Sequence, residues 1–130
     1  MKYAIFGDIH ANLEALQAVL ADAEQQGCTN YVCTGDIVGY ASDPNECLKI
    51  IREMDCPVVK GNHDEESTLS TSLDGLNPLA KQAMEWTRAQ LNEDERDFLN
   101  NMKLVRQAVS YTHLRAHETR HDLVCRLLLE

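Results

Sequence analysis

Residues 5–16, IFGDIHANLEAL, decide how this chain folds. The apolar run at residues 2–6 predicts a buried strand, and apolar residues then recur at helical spacing over residues 12–26. Asp8 and His10 stand between the two elements, and a carboxylate and an imidazole are both good ligands for transition metals. The stretch therefore predicts a strand, a loop that carries metal-binding groups, and a helix.

The same order of elements recurs further along the chain. Residues 30–34 and 57–60 predict two more strands, and the Asp43-Pro44 pair predicts the start of a helix between them. Strand, helix, strand, helix and strand with short links predict a right-handed parallel sheet with helices on its faces. We therefore expect an α/β fold in which the loops after the strands lie at one carboxyl edge. These loops are residues 7–12, 35–43 and 61–66.

Two further helices are predicted in the second half of the chain. Asn77-Pro78 opens the first, whose inner stripe is expected to include Leu79, Ala83, Trp86 and Leu91. Asn92 opens the second, with Glu95 placed to cap it. Trp86 and Cys33 are expected in the core, and residues 103–111 predict the start of another strand.

The composition narrows the class of protein. The chain has 130 residues and a net charge of −9, which argues against nucleic acid or a membrane surface as its main partner. It shows no signal peptide and no apolar run long enough to span a membrane, so we expect a cytoplasmic protein of bacterial type. Its five cysteines lack CxxC spacing and are expected to be reduced core thiols.

Each predicted strand end carries the same kind of polar group. The three blocks are Gly7-Asp8-x-His10-x-Asn12, Gly35-Asp36-x-x-Gly39 and Gly61-Asn62-His63-Asp64. Any one of them alone would be ordinary turn chemistry. Together they bring carboxylates, imidazoles and an amide to one edge, a donor set that suits Mn²⁺, Fe or Zn²⁺ better than Ca²⁺.

These blocks carry a family resemblance. GDIHAN, GDIVG and GNHD resemble the signature motifs of the calcineurin-like metallophosphoesterase superfamily, and GDIVGYASDPNEC resembles its small bacterial phosphodiesterase branch. The resemblance covers residues 1–108 and implies the N-terminal half of a two-sheet α/β sandwich, a partial metallophosphoesterase domain. Because a full member continues with further histidines on a second sheet, we expect the C-terminal half to be missing.

The resemblance also implies a ligand set. Asp8 and His10 would hold the first of two divalent ions, Asp36 would bridge both, and Asn62 would bind the second. Manganese is the first expectation for both ions, with iron, zinc and nickel as alternatives.

The remaining residues of the blocks take catalytic roles by the same resemblance. His63 would act as general acid or orient the phosphate, Asn12 would contact the phosphoryl oxygens, and Asp64 would orient the His63 ring. The implied reaction is hydrolysis of a phosphomonoester or phosphodiester by a hydroxide that two metal ions activate.

The tail, residues 109–130, departs from the family pattern and is expected to be helical or disordered. His113, His117 and His121 are spaced four apart, which on a helix would align them as in a zinc site. Three explanations stay open: a truncated gene joined to an adapter-like read-through, a natural extension, and functional histidines. The first is preferred, because the tail resembles a translated adapter read-through, and functional histidines are disfavoured because no Gly-His-x-His block is present.

Function therefore has two candidates. The first is a metal-dependent phosphoester hydrolase that acts on a small substrate, with weakened activity because the second ion keeps only Asp36 and Asn62. The second is a non-catalytic metal-binding or regulatory module of the same fold. A nucleotide-binding domain is disfavoured because no GxGxxG or GxxxxGK[ST] loop follows a strand. An exposed sheet face would favour oligomerisation or aggregation.

Overall fold

The computed structural model describes residues 2–69, 71–109, 112–115 and 126–129, with side chains described up to residue 105. Strand β1 (Tyr3–Phe6) leads into helix α1 (Leu13–Gln25), strand β2 (Asn30–Cys33) and helix α2 (Pro44–Met54). The short helix α3 (Asn62–Glu66) follows, then α4 (Pro78–Gln90), α5 (Glu93–Asn100) and the strands β3 (Val105–Val109), β4 (Thr112–Arg115) and β5 (Arg126–Leu129).

The sheet is parallel where the sequence predicted it to be. β1 pairs with β2 in parallel, with Tyr3 opposite Asn30 and Phe6 opposite Cys33. The predicted third strand is present only as parallel bridges, from Val58 to Cys33 and from Val59 to Lys103. The three segments still run side by side, so their carboxyl ends meet at one edge as expected.

The core lies where the helices pack against the sheet. Alternate β1 residues are buried, and Phe6 packs in one cluster with residues of α1, α2 and α5 such as Leu16, Leu48 and Leu99. The other β1 residues are only partly buried. The predicted α/β class is confirmed: the molecule is a mixed α/β fold with a small parallel sheet.

The helix caps follow the sequence closely. The Asn12, Asn77 and Asn92 side chains each accept a hydrogen bond from a backbone N–H in the first turn of the helix that they precede. Glu95 in turn accepts from the Asn92 N–H at 2.9 Å, which completes the predicted capping box. Asp43 precedes α2 as expected, although its side chain makes no capping bond there.

The inner stripe predicted for α4 is wrong in part. Trp86 is 44% exposed and Leu79 is 79% exposed, whereas Met84 and Thr87 are buried. The helix is held in this rotation by Arg88, which donates hydrogen bonds to the backbone oxygens of Glu66 and Thr71. Cys33, by contrast, is fully buried as predicted.

Where the structure describes the tail, it forms strands and not the helical or disordered segment that was expected. β4 pairs antiparallel with β3, and β5 pairs antiparallel with β1. His113 lies in β4, while His117 and His121 lie outside the described residues. A helical face that carries all three histidines is therefore not what the structure shows, and a domain boundary at residue 108 stays a prediction.

The described residues bear on two predictions, one about membrane-spanning segments and one about the redox state of the cysteines. No helix within them is both long and apolar enough to cross a bilayer. Their four cysteines are free thiols, Cys28, Cys33, Cys47 and Cys56, in agreement with the expected reduced state.

Candidate metal centre

The loops after β1 and β2 are joined by backbone hydrogen bonds beyond the ends of the strands. The Asp8 N–H donates to the Gly35 oxygen at 3.0 Å, the His10 N–H to the Asp36 oxygen at 2.9 Å, and the Ala11 N–H to the Ile37 oxygen at 2.8 Å. This ladder fixes the two loops relative to each other. It brings Asp8, His10 and Asp36 to the same edge of the sheet.

The loop backbones adopt an uncommon conformation at the site. Positive φ angles occur at Asp8, His10, Ala11, Asp36 and Tyr40. Aspartate and histidine tolerate this left-handed region better than most residues, but alanine and tyrosine seldom adopt it. Such strain costs about 1–3 kcal/mol per residue and persists only where the surrounding structure enforces it, often at functional sites.

The third loop lies against Asp36. The His63 N–H donates to Asp36 Oδ1 at 3.0 Å, and a Cβ atom at Gly61 would overlap the same carboxylate. Glycine is therefore required at position 61 by close approach. Asn62, which stands between Gly61 and His63 in sequence, is partly buried and is the first residue of α3.

The side chains of the three loops converge on a small volume. Ligand atoms of His10, Asp36 and His63 all lie within 4.8 Å of one another. His10 Nε2 is 3.9 Å from Asp8 Oδ1, and His63 Nδ1 is 3.9 Å from Asp36 Oδ1. Carboxylate oxygens and imidazole nitrogens at these separations fit a divalent transition metal.

The orientation of His10 suits metal binding. His10 is 6% exposed, and its Nδ1 atom lies 3.3 Å from the Val38 carbonyl oxygen. In the tautomer that protonates Nδ1, this nitrogen donates to the carbonyl and Nε2, on the Asp8 side, keeps its lone pair. A backbone acceptor behind the ring is the usual outer partner of a metal-binding histidine.

The Asp64 carboxylate accepts hydrogen bonds from the backbones of the second and third loops. It is fully buried, and its Oδ2 accepts from the Asp36 and Gly61 N–H groups at 2.8 and 2.9 Å. Its Oδ1 accepts from the Ile37 N–H at 2.8 Å and from the Val38 N–H at 3.4 Å. One carboxylate therefore joins the second loop to the third.

The protonation of Asp64 reflects opposing influences. Burial, and after it the negative charge of Asp36, raise the pKa of Asp64 to about 7. The hydrogen bonds from backbone amides lower the pKa because they stabilise the charged form. A role for Asp64 in orienting the His63 ring stays a prediction, since its described hydrogen bonds fix the loop backbones.

Asn12 also caps helix α1. It is exposed, and its Oδ1 accepts from the Ala15 N–H at 3.1 Å as the cap of α1. Any contact with a phosphoryl oxygen would therefore come from its amide nitrogen. The predicted substrate contact of Asn12 remains open.

Tyr40 is a residue at this site that the sequence analysis missed. Its ring centroid is 5.0 Å from that of His10 and 4.7 Å from that of His63, and the two histidine rings are themselves 4.7 Å apart. Its place in the GDIVGY segment, in the loop after β2 that carries Asp36, was the available signal.

Known proteins are similar to this chain in sequence. The family model of calcineurin-like phosphoesterases matches residues 1–124. An uncharacterized protein of Methanocaldococcus jannaschii is 42% identical over 102 residues, which are 78% of this chain and 42% of that protein.

Solved structures show the same likeness. A metallophosphoesterase from Sphaerobacter thermophilus has 38% identity and a TM-score of 0.68, over 82% of this chain and 43% of that one. A hypothetical protein from Pyrococcus horikoshii OT3, at 21% identity and a TM-score of 0.70, shares the fold over 81% of this chain and 49% of its own. The chain thus spans less than half the length of these relatives and corresponds to the N-terminal part of the metallophosphoesterase fold.

Proposed function

Because the chain belongs to the calcineurin-like phosphoesterase family, we propose that it carries the metal-binding loops of a metal-dependent hydrolase of small phosphoesters. The observation that carries the proposal is that metal-binding atoms of His10 and Asp36 and a ring nitrogen of His63, the proposed proton donor, lie within 4.8 Å of one another at the carboxyl edge of the sheet. The family resemblance of the loops adds Asp8 and Asn62 to this set.

The proposed ligands divide between two ions. Asp8 and His10 would hold the first ion, Asp36 would contribute its carboxylate to both ions, and Asn62 would contribute its amide oxygen to the second. The position of His10 Nε2, 3.9 Å from Asp8 Oδ1, supports the first pair. The mixed set of oxygen and nitrogen donors suits manganese, which is the first choice, and it also suits iron, zinc and nickel.

The other residues act on the substrate. When bound, two divalent ions lower the pKa of a water molecule and neutralise the charge of the phosphoryl oxygens. His63 donates a proton to the leaving alkoxide as general acid. Asn12 donates its amide N–H to a phosphoryl oxygen, and Asp64 keeps the loops of Asp36 and His63 together.

The hydrolysis of p-nitrophenyl phosphate and bis-p-nitrophenyl phosphate tests the proposal. We expect turnover with added Mn²⁺, no turnover with a chelator, and loss of turnover in Asp36→Ala. Asp94→Ala is the matched control, since Asp94 is an exposed aspartate in α5. Turnover in Asp36→Ala that equals that of Asp94→Ala would contradict the metal mechanism.

The alternative, a non-catalytic metal-binding or regulatory module, is favoured by one observation. The resemblance supplies only Asp36 and Asn62 for the second ion, fewer than the four positions that such an ion fills. Binding of Mn²⁺ without turnover of either ester would support the module.

A further inference from the structure

Tyr40 differs from its neighbours in exposure. Its side chain is 50% exposed, whereas His10 is 6% exposed and His63 is only partly exposed. The three rings contact one another edge to face, with interplanar angles of 63°, 70° and 76°. Tyr40 therefore presents aromatic surface to solvent directly beside the two histidines of the candidate metal centre.

The backbone fixes this position. Tyr40 has a φ angle of +67°, a conformation that a bulky residue seldom adopts. The next residue, Ala41, donates its N–H to the backbone oxygens of His10 at 3.1 Å and Gly39 at 2.9 Å. A Cβ atom at Gly39 would lie 3.3 Å from the His63 Cβ, so the loop is packed closely against His63. The ring is thus held over the site by its own loop.

The surface next to Tyr40 is mainly apolar. A shallow cleft of about 30 Å³ lies beside Tyr40 and His63, and it is lined further by Glu66, Leu76, Ala80, Ala83 and Met84. The cleft itself has room for about one water molecule, but its four apolar residues make this wall apolar, and the Glu66 carboxylate disfavours additional negative charge. This wall continues the surface of Tyr40 away from the candidate metal centre.

We propose that Tyr40 is a specificity-determining residue that contacts the organic group of the substrate and favours phosphoesters with an aromatic ring close to phosphorus. The inference rests on the proposed function, because it places the phosphoryl group at the metal loops. The Tyr40 and His10 ring centroids are 5.0 Å apart, so a ring attached to phosphorus directly or through one ester oxygen reaches Tyr40. Stacking on an aromatic side chain then adds affinity that an alkyl ester lacks.

Phenylphosphonate and methylphosphonate provide the test, since they share a phosphonate head and neither is hydrolysed. Binding to the Mn²⁺-loaded chain is measured by the broadening of their ³¹P resonances. We expect phenylphosphonate to bind about fivefold to tenfold more tightly, the change that about 1–1.4 kcal/mol represents.

Two variants assign that preference to Tyr40. Tyr40→Phe keeps the ring and is expected to keep the preference. Tyr40→Asn removes the ring but accepts the left-handed backbone, and it is expected to bind the two phosphonates equally.

The outcomes separate the two proposals. Equal binding of both phosphonates by the wild type, or an unchanged preference in Tyr40→Asn, would overturn the role of Tyr40 and leave the proposed function standing. Failure of both phosphonates to bind in the presence of Mn²⁺ would overturn the proposed function together with this inference.

Discussion

At the scale of single residues, Asp64 is the residue on which the geometry of the candidate metal centre depends most. It is fully buried and accepts hydrogen bonds from backbone N–H groups of the Asp36 loop and of Gly61. A carboxylate offers only acceptors to these donors, whereas an amide would turn an N–H₂ group towards some of them. Asp64 could be assigned to the site from the sequence, but its hydrogen bonds could not be predicted, because they depend on how two distant loops meet.

We therefore predict that Asp64→Asn destabilises the fold by about 1–3 kcal/mol, the cost of leaving buried donors unsatisfied. The change should also weaken Mn²⁺ binding, because Asp36 loses its support. Urea unfolding and a Mn²⁺ titration measure the two effects. Asp55→Asn is the control, because Asp55 is exposed at the C-terminal end of α2. It should change neither quantity by a comparable amount.

The buried thiols allow a second prediction at this scale. Burial raises the pKa of Cys47 to about 12 and also raises the pKa of Cys33 and Cys56. Because the thiolate is the reactive form, Cys47 should react with a thiol reagent at pH 8 about 10³-fold more slowly than an ordinary cysteine. Mass spectrometry after iodoacetamide treatment checks this. Labelling of Cys47 in the native protein as fast as in urea would contradict the described burial.

At the scale of elements, strands β1 and β2, the starts of α1, α2, α4 and α5, and the loop edge could be predicted from the sequence. Each rests on local signals: apolar runs, asparagine caps, and glycines where loops approach closely. The burial of α4 could not be predicted in this way. The set Leu79, Ala83 and Trp86 and the set Ala80, Met84 and Thr87 both have helical spacing, and large residues suggested the first. Hydrogen bonds of Arg88 to other segments select the second.

The meeting of the second and third loops gives a prediction for an element. Gly61→Ala should disrupt this contact, because its Cβ would overlap the Asp36 carboxylate and neighbouring backbone. We expect Mn²⁺ binding to fall at least tenfold. Gly75→Ala is the matched control, because a Cβ atom there meets nothing within 4 Å. Equal Mn²⁺ affinities in the two variants would contradict the described packing.

At the scale of the whole molecule, the family and the α/β class were predictable because three motifs occur in order at three strand ends. The tail was not: a helical or disordered segment was expected, whereas β4 pairs with the neighbouring β3, and β5 pairs with β1 at the start of the chain. Pairing of that kind depends on the complete fold and leaves little trace in a local pattern.

Metal binding should stabilise the whole chain. A ligand that binds only the folded state at a hundredfold excess over its Kd adds about 2.7 kcal/mol to the free energy of unfolding. We therefore expect Mn²⁺ to raise the Tm by several degrees and a chelator to reverse the rise. Differential scanning calorimetry measures both, with Mg²⁺ as the comparison because it prefers all-oxygen sites. A Tm that Mn²⁺ leaves unchanged would argue against a site formed by folding.

The most direct test of the central claim is an electron paramagnetic resonance titration of Mn²⁺ with the wild-type chain and with Asp36→Asn. The claim is that side chains of the three loops at the carboxyl edge of the sheet form one metal centre that includes Asp36. The account predicts that the wild type removes free Mn²⁺ from solution and that Asp36→Asn binds it at least tenfold more weakly while remaining folded. Equal Mn²⁺ affinity of the two folded proteins would contradict it.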